Sequence, residues 1–246
     1  MRDPAIMKEA DYLIVESTYG DRLHEREDPQ NRLAEIIQGT IRRGGTVLIP
    51  AFAVGRAQLL LLHLHQLKQQ GRLPANLPIF LDSPMSVNAV DIYRRYPDES
   101  RLDEAHCAAA FWVAHYVRDV EESKGLDATP IHHLKRFAPD SKSSVVFAGF
   151  QAAGTPGAKM LHGAQTVKIH GEYVPVRAEL HNLSMLSAHA DSDEIMGWLK
   201  TFQQPPKETF LVHGEPEAAD TLRLGIKDEL GWSCHVAEDL EKAELP

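Results

Sequence analysis

Thr46-Val47-Leu48-Ile49, then Ala57 to Lys68, then Ile79-Phe80-Leu81-Asp82 stand in a row with short links, and that row decides the fold class. The first run is rich in β-branched residues, which suit a pleated, buried strand. The second carries Leu59, Leu60, Leu61, Leu62, Leu64 and Leu67 after a turn at Gly55, and reads as a helix. The third is apolar and ends on a carboxylate. Strand, helix and strand in this order predict a β-α-β unit, hence a parallel sheet with a right-handed crossover.

Working outward, the alternation continues on both sides. Tyr12 to Val15 is an apolar run ending on Glu16. Asp28-Pro29 reads as N-cap and first helical residue, with Leu33, Ile36, Ile37 and Ile41 at helical spacing and Gly44-Gly45 as the stop. Asp91 to Leu126 reads as helical and amphipathic. Ser144 to Phe147 is a buried strand leading to the turn Gly154-Thr155-Pro156-Gly157 and a short helix. Strands follow at Thr166 to Ile169 and Tyr173 to Val176. Beyond these come a strand at Ser184 to Ser187, a helix from Asp191, a strand at Thr209 to Val212, a helix from Glu217 to Leu230 and a strand near Cys234. The class is α/β.

Composition bounds the function. The 246 residues include 43% hydrophobic and 25% charged, with 26 basic against 35 acidic side chains for a net charge of −9. That balance argues against sequence-independent coating of nucleic acid, which needs many cationic contacts to phosphate, while leaving room for a local basic groove. Cys107 and Cys234 have no paired or metal-type spacing, so both are expected as reduced core residues. No apolar h-region follows Met1 and no run approaches the ~18 apolar residues of a membrane span. A cytoplasmic location and no membrane partner are the expectation.

In α/β sheets ligands gather beyond the carboxyl ends of strands. His213 follows the strand Phe210-Leu211-Val212 and precedes Gly214-Glu215, where a rigidly held imidazole suits a metal and an ordinary loop histidine is the alternative. His189 lies in Ser187-Ala188-His189-Ala190-Asp191, on a loop where an imidazole can exchange protons with a substrate. Asp191 with Glu194 fits a capping box, so Asp191 reads as a helix cap rather than a ligand. Glu16 could ligate metal, orient an imidazole or cap a helix. Two turns could cradle phosphate, Gly154-Thr155-Pro156-Gly157 and Gly55-Arg56, although turn geometry alone explains either. The first is no Walker A loop, since no Ser or Thr follows Lys159. The remaining histidines, including the pairs His63/His65 and His132/His133, read as solvated or packing residues.

Taken in order, Glu16-Ser17-Thr18-Tyr19-Gly20-Asp21, Ile49-Pro50-Ala51-Phe52-Ala53-Val54-Gly55-Arg56-Ala57-Gln58, Ser187-Ala188-His189-Ala190-Asp191 and Leu211-Val212-His213-Gly214-Glu215 closely resemble successive motifs of the metallo-β-lactamase/β-CASP nucleases. Asp82-Ser83-Pro84-Met85 resembles a segment typical of bacterial members. The resemblance implies a β-CASP domain with a parallel sheet flanked by helices over 21–183. It also implies parts of a metallo-β-lactamase αββα domain over 1–20 and, returning, over 184–246. It implies roles as well: Glu16 as the motif A acid that orients His189, His189 as the motif B histidine assisting proton transfer to the leaving oxygen, and His213 as the motif C zinc ligand. Arg56, Gly154 and Thr155 become expected substrate-binding residues, RNA the expected partner, and a homodimer a compatible arrangement. Two zinc ions in such an enzyme activate water and stabilise charge on phosphate oxygens.

Two departures follow. The family's main zinc motif, a His-x-His-x-Asp-His run, lies upstream of motif A, yet only about fifteen residues precede Glu16. The expectation is therefore a C-terminal portion of a longer enzyme, holding little zinc and inactive alone. Family members also carry a strand and a Ser-Gly-Met-type turn before the helix that here starts at His132-His133-Leu134, whereas this chain runs into it from Thr129-Pro130-Ile131. The competing readings are a catalytically inactive RNA-binding or scaffolding module and a metallo-hydrolase of small substrates. Internal cleavage and cleavage from an end both suit the motifs.

Overall fold

A computed structural model of the chain describes residues 5–97, 109–118 and 130–245. In chain order the elements are β1 (Tyr12–Glu16), α1 (Pro29–Arg42), β2 (Val47–Leu48), α2 (Arg56–Gln69), β3 (Phe80–Leu81), α3 (Pro84–Arg95) and β4 (His115–Tyr116). Then follow α4 (Pro130–Phe137), β5 (Ser144–Phe147), α5 (Pro156–Leu161), β6 (Thr166–Ile169), β7 (Glu172–Pro175) and β8 (Glu179–Asn182). A 3₁₀ turn (Ser184–Leu186) leads to α6 (Ser192–Leu199), β9 (Glu208–Val212), α7 (Pro216–Leu230) and β10 (Cys234–Val236). The chain divides into two compact units, a larger one over 26–188 and a smaller one joining 5–25 to 189–245.

In the larger unit β5 is the centre of a parallel sheet of order β2-β5-β8. Its four residues, Ser-Val-Val-Phe, are all buried, as a strand covered on both faces requires. α1 starts where Asp28 accepts a hydrogen bond from the Gln30 N–H with Pro29 in the first turn, and it buries Leu33, Ile36 and Ile37 against Leu60, Leu64 and Leu67 of α2. β3 and β4 form a separate parallel pair. β6 and β7 form an antiparallel hairpin whose turn residues His170 and Gly171 both have positive φ, 48° and 84°, the backbone a tight hairpin needs.

Three expectations change. The strand–helix–strand row exists, but β2 pairs with β5 and β3 with β4, so among the described residues the two do not share a sheet. Within the stretch expected to be one amphipathic helix, α3 stops at Arg95 and His115–Tyr116 is a strand. The rest of that stretch, with Cys107, lies outside the described residues. Ser184–Leu186 is a 3₁₀ turn, not a strand: Leu186 (2% exposed) plugs the core, and the strand is the preceding Glu-Leu-His-Asn run, whose polar composition suits the sheet edge it occupies.

The smaller unit is a parallel sheet of order β1-β9-β10 packed by α6 and α7. Its core gathers Val15, Leu211, Ile195, Leu199, Leu222, Ile226 and Trp232. Cys234 sits partly inside it, and burial pushes its thiol up to about 11, with Glu208 adding to the shift, so it is an inert packing residue.

Candidate active site

β1 and β9 run in register with Glu16 opposite Val212. The last residue of β1 and His213, the first beyond β9, therefore leave the smaller unit's sheet at one rim. The loops there are clamped: the Ser17 N–H and hydroxyl both donate to the Val212 carbonyl, at 2.8 and 2.9 Å. Two glycines allow this crossing. A Cβ at Gly20 would meet the Ala218 carbonyl oxygen at 2.5 Å, and one at Gly214 would meet the Ser17 carbonyl oxygen at 2.7 Å. His213 itself has φ 66°, a left-handed conformation uncommon outside glycine, which turns the chain sharply at the strand tip and leaves the side chain exposed.

His189 meets this rim from the loop before α6. Its Nδ1 lies 2.5 Å from Glu16 Oε2. With the carboxylate as acceptor, Nδ1 carries the proton of that bond, which sets the tautomer of the ring. The carboxylate is itself held by the Thr18 hydroxyl, which donates to Oε2 at 2.9 Å and stands 3.5 Å from the His213 carbonyl. His24 Nε2 donates to the His189 carbonyl at 2.9 Å. Tyr19, 4% exposed, presents edge-on contacts to His24 and His189 at 5.3 and 6.1 Å between ring centres.

Asp191 is the cap of α6. Its Oδ1 accepts from the Glu194 N–H and Oδ2 from the His24 N–H, both at 2.9 Å, while Glu194 Oε2 accepts from the Asp191 N–H at 3.0 Å. Burial pushes the Asp191 carboxyl up, but the amide N–H groups of His24 and Glu194 outweigh it and hold the carboxyl below its ordinary 3.8. His24 and Tyr19 are site residues that sequence reasoning passed over. His24 looked like any loop histidine, and its only signal was its place a few residues past Tyr19-Gly20.

Zinc needs three or four N, O or S donors around one point. Among the described residues one group brings three such donors within 4.8 Å of one another, His24, Asp191 and Glu194. Its carboxylates are engaged by the capping box and by a contact of 3.8 Å between His24 and Glu194, and it does not include His213. The described residues thus do not close a zinc site on His213; they offer one exposed imidazole.

The other expected site residues sit in the larger unit. Arg56, the first residue of α2, is 7% exposed, with its guanidinium beside Gly149, 3.5 Å from where a Cβ would stand. Gly154 has φ 82° in its turn. Thr155 caps α5: its hydroxyl donates to the Ala152 carbonyl at 2.7 Å and accepts from the Ala158 N–H at 3.2 Å.

The rim joins motif-bearing loops of distant sequence, and its protein class is set by comparison with known families. Residues 57–131 match the Beta-Casp domain, and 173–237 match the Zn-dependent metallo-hydrolase RNA specificity domain. The chain belongs to the metallo-β-lactamase/β-CASP family. Among individual relatives it is 37% identical to Ribonuclease TTHA0252 of Thermus thermophilus over 240 residues, covering 87% of this chain and 54% of that protein. It is 31% identical to Transcription termination factor FttA of Pyrococcus horikoshii, covering 95% of this chain and 40% of the relative. It is 29% identical to Cleavage and polyadenylation specificity factor 73 of Drosophila melanogaster, covering 89% and 34%. The chain thus spans between about a third and a little over half of these relatives. Among the described residues no helix is long and apolar enough to cross a membrane.

Proposed function

We propose that these 246 residues are the part of a zinc-dependent ribonuclease that supplies the proton-transfer pair and one metal ligand. The observation that carries the reading is the Glu16–His189 contact of 2.5 Å at the rim from which His213 also leaves. In this reading the protonated His189 gives the Nε2 proton to the departing 3′ oxygen as the phosphorus–oxygen bond breaks, and Glu16 accepts from Nδ1 and balances the imidazolium charge. Such general-acid assistance is worth roughly 10²–10⁴-fold. Thr18, Tyr19 and His24 hold the pair in place.

His213 is the ligand assigned to this chain in a centre of two zinc ions. The further ligands belong to a longer polypeptide, as the relatives' lengths suggest. The smaller unit is assigned to the metallo-β-lactamase domain and the larger to the β-CASP domain. RNA is the substrate, with the backbone at Gly154 and Thr155 as its contacts in the larger unit, while Arg56, 7% exposed, contributes its positive charge from behind that surface. Since the Thr155 hydroxyl is occupied as a cap, that residue acts by shaping the turn.

The test is to incubate labelled RNA with the complete polypeptide, with and without a chelator. Chelator-sensitive cleavage is expected. RNA retained uncut in the presence of zinc would instead identify a non-catalytic RNA-binding module.

A further inference from the structure

The hairpin β6–β7 of the larger unit presents a face that plays no part in that reading. Along β7 and the residues after it, Val174, Val176 and Ala178 turn inward to a core they share with Val167 and Ile169. By the two-residue alternation of an extended chain, Tyr173, Pro175 and Arg177 turn outward, as Thr166 and Lys168 do on β6. Lys168 lies opposite Tyr173 in the register, with its Nζ 6.0 Å from the centre of the ring, a cation–π contact. The hairpin's one acid, Glu172, is on the other side, opposite Ile169, where it pairs with Lys135 of α4 at 3.1 Å. The outward face carries no carboxylate.

Exposure and charge bear on what fits there. Tyr173 is 73% exposed, and Lys168 and Arg177 are exposed beside it. Among the described residues neither of these cations is in an ion pair, nor is the exposed Lys159 of the neighbouring α5. The surrounding stretch is basic within an acidic chain: residues 130–178 hold six Lys and Arg against two acids, Asp140 and Glu172, whereas the whole chain carries −9. Positive charge is thus gathered around an exposed aromatic ring, and it is not spent on neutralising nearby carboxylates.

We propose that the outward face of β6–β7 is a docking surface for single-stranded RNA, on which one base stacks on Tyr173 while Lys168 and Arg177 meet the flanking phosphates. The proposal rests on RNA being the substrate and adds to that reading a second place where the strand is held. Cations without carboxylate partners attract a polyanion and release its counterions. An exposed ring among cations is the combination that holds single strands, since every base offers a π face. A duplex keeps its bases stacked on one another and cannot offer one to the ring. An acidic peptide would answer the charges but would leave Tyr173 without a stacking partner.

The probe is a labelled oligouridylate of about sixteen nucleotides, compared with an abasic strand of the same length, with chelator present. Affinity for the 246-residue chain is read by fluorescence anisotropy across a range of salt. Tyr173→Ala is expected to weaken oligouridylate by on the order of tenfold and to leave the abasic strand unaffected. Lys168→Gln with Arg177→Gln should make the fall of log affinity with log salt shallower by roughly 0.7 for each cation removed. Lys242→Gln, at an exposed cation of the smaller unit, should leave that slope as it is. No binding by the unaltered chain, full affinity in Tyr173→Ala, or an equal loss of slope in Lys242→Gln would overturn the proposal. Polyglutamate competing as strongly as RNA would overturn it too, and would assign the face to an acidic protein. The two readings fail separately: chelator-sensitive cleavage by the complete polypeptide with none of these effects sinks this surface alone, and RNA held at Tyr173 without cleavage sinks the nuclease alone.

Discussion

At the scale of single residues, the site turns on which contacts are made by side chains and which by backbone. His189 is positioned three ways: by Glu16 at Nδ1, by His24 at its carbonyl and by Tyr19 at its ring. His213 is positioned through its backbone, by its strand, its φ of 66° and the Thr18 hydroxyl at its carbonyl. This separates the two imidazoles experimentally. In the complete enzyme His189→Ala is expected to cut turnover by roughly 10²–10⁴-fold with zinc content unchanged, whereas His213→Ala should lower zinc content as well as activity. Equal zinc loss in both variants, read by metal analysis, would refute the division. Thr18→Val, which keeps the shape but removes the hydrogen bond of 2.9 Å to Glu16, is expected to lower kcat by on the order of tenfold while leaving KM and zinc in place. A merely structural Thr18 would instead show as lost stability at full kcat.

At the scale of elements, the sequence was most readable where local chemistry dictates the outcome. Asp28-Pro29 and Asp191 with Glu194 announce helix starts, and both caps form as read. Glu16 and His213 were legible as strand-end residues because Tyr12–Glu16 and Glu208–Val212 are unmistakably apolar. Their adjacency was implied only by the family resemblance, since a parallel pairing between residues nearly two hundred positions apart leaves no periodic trace. β8 was misplaced for a related reason: an edge strand of Glu-Leu-His-Asn carries no apolar alternation, and the apolar Met185 and Leu186 beside it drew the assignment. Where elements cross closely, substitution should be felt at once. Gly20→Ala would press a methyl into the Ala218 carbonyl and Leu222 of α7, and overpacking of this kind costs about 1–3 kcal/mol. A lowered denaturation midpoint with an unchanged m-value is expected; wild-type stability would mean the loop shifts freely. Asp191→Asn tests the cap. Because the folded carboxyl is held below 3.8, its contribution is present above that pH and lost as pH falls through the folded value. The stability gap between wild type and Asp191→Asn, measured by denaturant, should therefore be wide near neutrality and shrink on acidification below 3.8.

At the scale of the whole molecule, the chain is two units with separate cores, and acid should act on the larger one through histidines its core has enclosed. His63, on α2, has its pKa lowered from 6.5 by burial, with Asp28 opposing the shift, and its Nδ1 is enclosed without a partner. His181, on β8, is lowered chiefly by burial as well, against an opposing Glu179. For each, the unfolded chain binds its proton at a higher pH than the folded one. The unfolded state is therefore favoured as pH falls below 6.5, and stability rises again with pH through that window. Replacing the enclosed imidazole removes its share of this slope: His63→Leu is expected to flatten the dependence of the larger unit's stability on pH between 6.5 and the onset of carboxylate protonation, and to raise stability at the acid end. The readout must isolate the larger unit. Trp198 and Trp232 both pack in the smaller unit's core, so tryptophan fluorescence follows chiefly that unit, and exchange of the β5 amides of Val145 and Val146, both fully buried, reports the larger one. A variant whose β5 exchange keeps the full wild-type pH dependence would show that His63 is reached by solvent in the folded state and that the acid sensitivity of this core arises elsewhere.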